Sequence, residues 1–333
     1  MRAVVGHQDA RQLLCRAVAS GQVSHAYLLT GPVQIGKTTL ARGFAQLLEC
    51  EQPDVAAGLP CGECTACRKV SHGTHPDVTL VQAAEGKRFI SVDDVREAIK
   101  YANQSPSEGR WRVFIFRNVE QMNASSVNAL LKTLEEPPPQ VVLLLTSAEP
   151  ETLLPTLLSR CQVLALHPLA LAEVESALVE RWGVAPAEAR ELSALANGRL
   201  GWAVRAHERP ALREERTRLL DELAGLTLAG RAERLKAAGT LASDTESART
   251  ALALWMLWWR DVTLAACGAT HLLGAGAARR EAERQGRLLS PDLAHAFLRA
   301  LLAAQAALDQ NANPRLTFDV LMLDLPRLAA AAR

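Results

Sequence analysis

The sequence has no long hydrophobic run. Its most apolar stretch, Ala251–Trp259, is nine residues long and is bounded by Arg249 on one side and Arg260-Asp261 on the other. A membrane span needs about 20 apolar residues, so the stretch predicts a buried helix and no membrane contact. The first residues, Met1-Arg2-Ala3-Val4-Val5-Gly6-His7, lack the apolar centre of a signal peptide. Both absences predict a cytoplasmic protein. Net charge is nearly absent as well: at +1, no global field draws the chain to nucleic acid or membrane. Any DNA contact then has to come from a local patch placed by partner subunits. The cysteines lack an even count; seven of them in such a chain argue against a disulfide framework. What is present is 333 residues with 49% apolar and 22% charged side chains. That is an ordinary globular balance in a chain too long for one compact core.

Short apolar runs alternate with helical patterns over the first half. Strands are predicted at 26–30, 78–82, 112–116, 141–146 and 163–166, with helices at 38–48, 92–102 and 125–134. Such alternation predicts an α/β domain whose parallel sheet is covered by helices. Ser91 followed by Asp94 has the form of a capping box for the helix at 92. Strand signals stop after His167-Pro168. Residues 170–182 and 187–196 predict a small helical unit closed by Asn197-Gly198. From about Pro210 onward, Ala, Leu and Arg recur at helical spacing, with breakers at Gly225, Gly239, Gly268, Gly274–Gly276 and Pro314. The expectation is an all-α bundle of about five helices. The predicted division is 1–167, 168–208 and 209–333.

Gly31-Pro32-Val33-Gln34-Ile35-Gly36-Lys37-Thr38 fits the phosphate-binding pattern G-x-x-x-x-G-K-[ST] at every fixed position, and Thr39 follows. The glycines let backbone N–H groups face phosphate oxygens. Lys37 supplies a charge for the β- and γ-phosphates, and the Thr38 hydroxyl can ligate Mg²⁺. An apolar strand before the loop and an amphipathic helix after it are the context the motif requires. ATP or ADP is the expected ligand; the competing reading is a glycine-rich loop that binds nothing.

Hydrolysis needs a second strand ending in Asp, often followed by Glu. The strand at 112–116 is followed by Arg117-Asn118. A cation stands in place of the magnesium-side carboxylate, and an amide that cannot accept a proton stands in place of the base. Magnesium support is therefore weakened. Glu120 lies beyond the strand end and could substitute only by a different loop path.

Cys50, Cys61, Cys64 and Cys67 form a C-x₁₀-C-x₂-C-x₂-C run, the form of a closed, structural zinc site with four thiolates. An iron–sulfur cluster suits the C-x₂-C-x₂-C portion too, and His72 or His75 could replace one ligand. Cys15, Cys161 and Cys267 read as core residues. Lys87, Arg88 and Ser91 precede a helix and are candidate DNA-phosphate contacts, though a solvated turn is the favoured reading.

These pieces occur in an order that resembles bacterial DNA polymerase III clamp-loader subunits. The resemblance is carried by Val5-Gly6-His7-Gln8, His25-Ala26-Tyr27-Leu28-Leu29, the glycine loop and the cysteine run. It continues in the Asn-Ala-Leu-Leu-Lys-Thr-Leu-Glu-Glu-Pro-Pro segment at 128–138 and in Leu158-Ser159-Arg160-Cys161. It implies an AAA+ module, a helical lid and a helical collar that joins a hetero-pentamer with gamma/tau motor and delta subunits. That assembly places a sliding clamp on primer-template DNA. It also implies that Arg160 is an arginine finger reaching a neighbour's ATP. The lid's sensor arginine aligns with Gly201, and Arg199 is out of register. Lost acids, a lost lid arginine and a retained finger resemble the non-hydrolysing delta-prime (stator) type more than the gamma/tau motor. A zinc-dependent nucleic-acid-binding module is the expectation from another class, and it lacks interleaved aromatics.

Overall fold

The computed structural model describes residues 4–54, 57–84, 87, 89–273 and 277–328. Two compact units meet in sequence at Val204/Arg205. The first opens with α1 (Gln8–Ala19), β1 (Ala26–Thr30), α2 (Lys37–Glu49) and α3 (Thr65–His72). Then come β2 (Val78–Val81), α4 (Val92–Ala102), β3 (Arg112–Phe116), α5 (Ala124–Glu135), β4 (Val141–Ser147), α6 (Pro155–Leu158) and β5 (Gln162–Ala165). The five strands pair in parallel in the order β2-β3-β4-β1-β5. The α/β class and all five strands agree with the sequence reading.

Every residue of β1, β3 and β4 is buried, as parallel strands covered on both faces are. Tyr27, Leu29, Val113 and Ile115 pack with Leu40 and Phe44 of α2 on one face. Leu28, Phe114 and Phe116 pack with Val95 of α4 and Leu130 of α5 on the other. Because β4 lies between β1 and β3, Phe116 pairs with Leu145 and Leu145 pairs with Leu28. The chain leaving β3 therefore emerges on the same carboxyl edge of the sheet as the glycine loop that follows β1, the edge where open α/β sheets bind ligands.

After β5 come α7 (Leu171–Trp182), α8 (Pro186–Ala196) and α9 (Leu200–Glu208). Asn197 and Gly198, at φ 49° and 74°, end α8 in the left-handed conformation that helix C-termini favour.

The second unit contains α10 (Ala211–Leu228), α11 (Arg231–Leu241), α12 (Thr245–Ala266), α13 (Ala277–Leu288), α14 (Pro291–Asp309) and α15 (Pro314–Asp324). These are six α-helices among the described residues, where the sequence suggested about five. The difference arises because Gly225 and Gly239 lie inside α10 and α11; an isolated helical glycine costs only about 1 kcal/mol relative to alanine. Gly239 also has a packing reason, since a Cβ there would collide with the Arg315 guanidinium, which donates to the Leu235 carbonyl. The chain breaks instead at Gly230, and at Asp244, which caps α12 by accepting from the Ser247 N–H. The apolar run Ala251–Trp259 lies inside α12. Trp255 packs on Phe318 at a centroid distance of 5.7 Å, and Trp259 on Phe297 at 4.7 Å. No helix among the described residues is long and apolar enough to cross a membrane.

Candidate nucleotide and metal sites

Six residues, 31–36, reverse the chain between β1 and α2. Gly31, Gln34 and Gly36 take positive φ (132°, 65° and 115°), and a Cβ on Gly31 would stand 2.3 Å from the Leu166 carbonyl oxygen. Two loop carbonyls are held from outside. The Gly201 N–H donates to the Gln34 carbonyl at 3.0 Å, and His7 Nε2 bonds the Ile35 carbonyl at 3.0 Å. Carbonyl and N–H of one trans peptide point oppositely, so the Gly36 N–H points away from His7, toward the loop interior. The first N–H groups of α2 lack intrahelical acceptors, and Gly36 offers no side-chain cap. These donors suit an anion. Lys37 Nζ donates to the carbonyls of Gly31 (2.5 Å) and Pro32 (2.9 Å). Burial pushes the Lys37 ammonium down to about 8; the charge of Glu120 works against that shift, and Arg117 adds to it.

Arg117 donates its backbone N–H to Val81 (2.9 Å) and its Nη1 to Gln82 Oε1 (3.2 Å). Its side chain lines a cleft of about 440 Å³ with Thr38, Thr39, Arg42, Gln46 and Ser71. Asn118 sits at φ 57°, and its N–H donates to Thr146 Oγ1 at 3.0 Å. Glu120 Oε1 accepts from the Ala148 N–H at 3.1 Å. A magnesium shell needs hard oxygen ligands with carboxylate among them. The side chains that line the cleft beside Thr38 are guanidinium, amide, hydroxyl and one valine, with no carboxylate from the described residues, and this lining does not fit the metal. Glu120 is engaged at Ala148 through Oε1, while its buried Oε2 has no partner among the described residues.

Arg160 lies in the turn between α6 and β5. Its Nη2 pairs with Glu135 Oε1 at 2.8 Å, and its Nη1 donates to the Thr156 carbonyl at 2.9 Å. The neighbouring Cys161 thiol is pushed up to about 12 by burial and is not reactive. Gly201, where the lid arginine was expected, is the second residue of α9. A Cβ there would stand 2.7 Å from the Gln34 carbonyl oxygen, so the packing of α9 on the loop leaves no room for a side chain. Arg199 turns back, donating Nε to the Ala196 carbonyl at 3.1 Å.

The four cysteines of the C-x₁₀-C-x₂-C-x₂-C run converge. Their sulfurs lie within 4.8 Å of one another, and Cys61 Sγ is 3.9 Å from Cys67 Sγ. A tetrahedron of sulfurs about 2.3 Å from a zinc ion has edges of about 3.8 Å, so the cluster can hold a metal ion. Backbone N–H groups of Cys61, Cys64 and Cys67 donate to the sulfurs of Cys50 (3.2 Å), Cys61 (3.3 Å) and Cys64 (3.4 Å). Such donation favours thiolate. The N–H groups of Cys64 and Glu63 bring the Cys61 thiol down to about 6, while burial pushes Cys50 and Cys67 up. The turn at Gly62 (φ 80°) permits the knuckle. The histidines are engaged elsewhere: His72 Nδ1 with the Arg68 carbonyl at 2.7 Å, and His75 Nδ1 with the Asp77 N–H at 3.2 Å.

At the remaining predicted contacts, the Ser91 hydroxyl accepts from the Asp94 N–H at 3.1 Å, capping α4. The Lys87 N–H donates to the Ala84 carbonyl. Arg88 lies outside the described residues. Sequence reasoning missed His7 as a loop partner, Thr146 and Glu135. Each acts across a large separation in sequence, and only His7 had a local signal, in the Val5–Gln8 segment.

Residues 6–170 match the family model described as DNA polymerase III, delta subunit. DNA polymerase III subunit delta' of Pseudomonas aeruginosa is 42% identical over 202 residues, covering 60% of this chain and 60% of that protein. DNA polymerase III subunit tau of Bacillus subtilis is 38% identical over 159 residues, 48% of this chain and 27% of that one. A gamma subunit-related protein of Thermotoga maritima, known as a solved structure, is 17% identical, with 94% of this chain and 97% of that one covered at a TM-score of 0.40. The chain thus spans under two thirds of the length of these curated relatives. Residues 6–170, with a parallel sheet and a glycine loop, belong to the family of DNA polymerase III clamp-loader subunits.

Proposed function

We propose that this chain is a stator, of the delta-prime type, in a DNA polymerase III clamp loader. It would bind nucleotide at 31–39 without hydrolysing it and lend Arg160 to a neighbour's ATP. The observation that carries the reading is the contrast between Arg160, retained beside Glu135, and the positions Arg117, Asn118 and Gly201, where the groups needed for hydrolysis in cis are missing. Residues 1–167 serve as the AAA+ module, 168–208 as the lid and 209–333 as the collar. The groove between α14 and α15, lined by Ala300, Ala303, Leu316 and Val320, has the apolar character of a subunit contact. Zinc on Cys50, Cys61, Cys64 and Cys67 is a structural staple. The partners are gamma/tau and delta subunits, and through them the clamp and primed DNA.

The test is reconstitution of the loader with Arg160→Ala. Clamp- and DNA-stimulated ATPase is expected to fall by a factor of about 10³ or more; unchanged ATPase removes the finger role. A gamma/tau-type motor is the second reading, favoured by the tau relative and by the charge of Glu120 felt at Lys37. Steady-state hydrolysis by the purified chain, abolished in Lys37→Ala, would establish it instead. The zinc-dependent nucleic-acid module finds no support among the relatives.

A further inference from the structure

Two arginines line the cleft beside Thr38. In hydrolysing P-loop proteins Mg²⁺ bridges the β- and γ-phosphate oxygens, held by the loop Ser or Thr and by a carboxylate at the end of the second strand. Here Thr38 is present, but the strand-end residue beside it is Arg117. Arg42 lies four residues after Thr38 on α2, hence on the same helix face, and is exposed. Both guanidinium groups line the cleft of about 440 Å³ that opens beside Thr38 and Thr39, and no carboxylate of the described residues lines it. Together they carry the formal charge of one Mg²⁺.

We propose that this chain binds nucleoside polyphosphate without a divalent metal, Arg117 and Arg42 supplying the countercharge at the terminal phosphates. The inference rests on the reading of 31–39 as a nucleotide loop and adds how the charge is balanced there. A guanidinium meets phosphate oxygens with paired N–H donors. Arg117 Nη1 bonds Gln82, so its other nitrogens remain to face the cleft. A dication would be repelled by Arg117 and meets no carboxylate among the described residues that line the cleft. Binding and hydrolysis are thereby separated chemically: the group that attracts phosphate here cannot assemble the metal that turnover requires.

The experiment is titration of the full chain with a fluorescent ATP analogue, in excess magnesium and in EDTA. Wild type should bind with the same Kd, within about twofold, in both buffers. Arg117→Asp, which returns the carboxylate, should weaken binding in EDTA by about tenfold or more and regain it with magnesium. Arg117→Gln, which keeps the side chain's bulk, should lose affinity in both. Magnesium tightening the wild type by about tenfold, or Arg117→Gln matching wild type in EDTA, overturns the inference and leaves the nucleotide loop standing. No saturable binding in either buffer, with Lys37→Ala indistinguishable from wild type, overturns both.

Discussion

The N–H of Gly201 and the carbonyl of Gln34 are joined at 3.0 Å, so the first turn of α9 rests on the glycine loop. A Cβ at 201 would stand 2.7 Å from that oxygen. Gly201→Ala in an ordinary helix would stabilise by up to about 1 kcal/mol. Here the expected sign is reversed, a loss of about 1–3 kcal/mol from overpacking. Gly201→Arg should be worse and should not restore hydrolysis. Urea midpoints for the two variants check the sign; a gain for alanine would mean that α9 does not bear on the loop.

Lys37 predicts a pH dependence. Its folded value is about 8, while an unfolded lysine titrates near 10.4. Between those values the unfolded chain binds more protons, so the lysine's contribution to stability rises with pH across that window. Below pH 8 the buried ammonium opposes folding. Relative to Lys37→Met, wild type should gain about 3 kcal/mol from pH 8 to 10.4. Parallel stability profiles for the two proteins would rule this out.

The metal cluster should respond to acid in the same direction, for a different reason. Binding requires thiolates, so affinity falls as pH falls. Cys61, held near 6, is ionised at neutral pH, whereas Cys50 and Cys67 are pushed up by burial and must release protons as metal enters. Zinc added to metal-free protein should therefore acidify a weakly buffered solution. Metal analysis should find zinc lost in Cys67→Ser and retained in His72→Ala. Loss in both would place a histidine in the shell.

Asp77 and Arg112 form a pair at 3.0 Å with side-chain exposures of 0% and 6%. Burial alone would raise the Asp77 carboxyl, but the N–H groups of Glu108, Ser107 and Gly109, with Arg112, hold it low. A depressed carboxyl stabilises above the ordinary value of about 3.9, and that stability is lost as pH falls through the folded value. Asp77→Ala leaves Arg112 buried and uncompensated, at an expected cost of about 3–5 kcal/mol. Thermal unfolding measures it; a change under about 1 kcal/mol would show that water reaches Arg112.

Features set by local spacing were legible in the sequence. The loop at 31–38, the C-x₂-C-x₂-C knuckle and the apolar runs of β1, β3 and β4 each follow from residues adjacent in the chain. What was hidden depends on distant partners. Nothing near Gly239 announces that Arg315 needs its space, and nothing near Arg160 names Glu135. Gly201 read as a missing arginine, while its physical role is to let α9 touch Gln34. The Ser91 cap was readable because donor and acceptor lie three residues apart.

The helix α2 starts at Lys37 and ends at Glu49, with Cys50 next. Thirteen residues make a rod roughly 20 Å long, with phosphate chemistry at one end and thiolate chemistry at the other. Thermodynamic reciprocity constrains any communication along it. If filling the cysteines changes nucleotide affinity by some factor, nucleotide must change metal affinity by the same factor. Should that coupling be favourable, zinc scarcity would be felt as weaker binding at the loop, and a filled loop would hold the zinc more firmly.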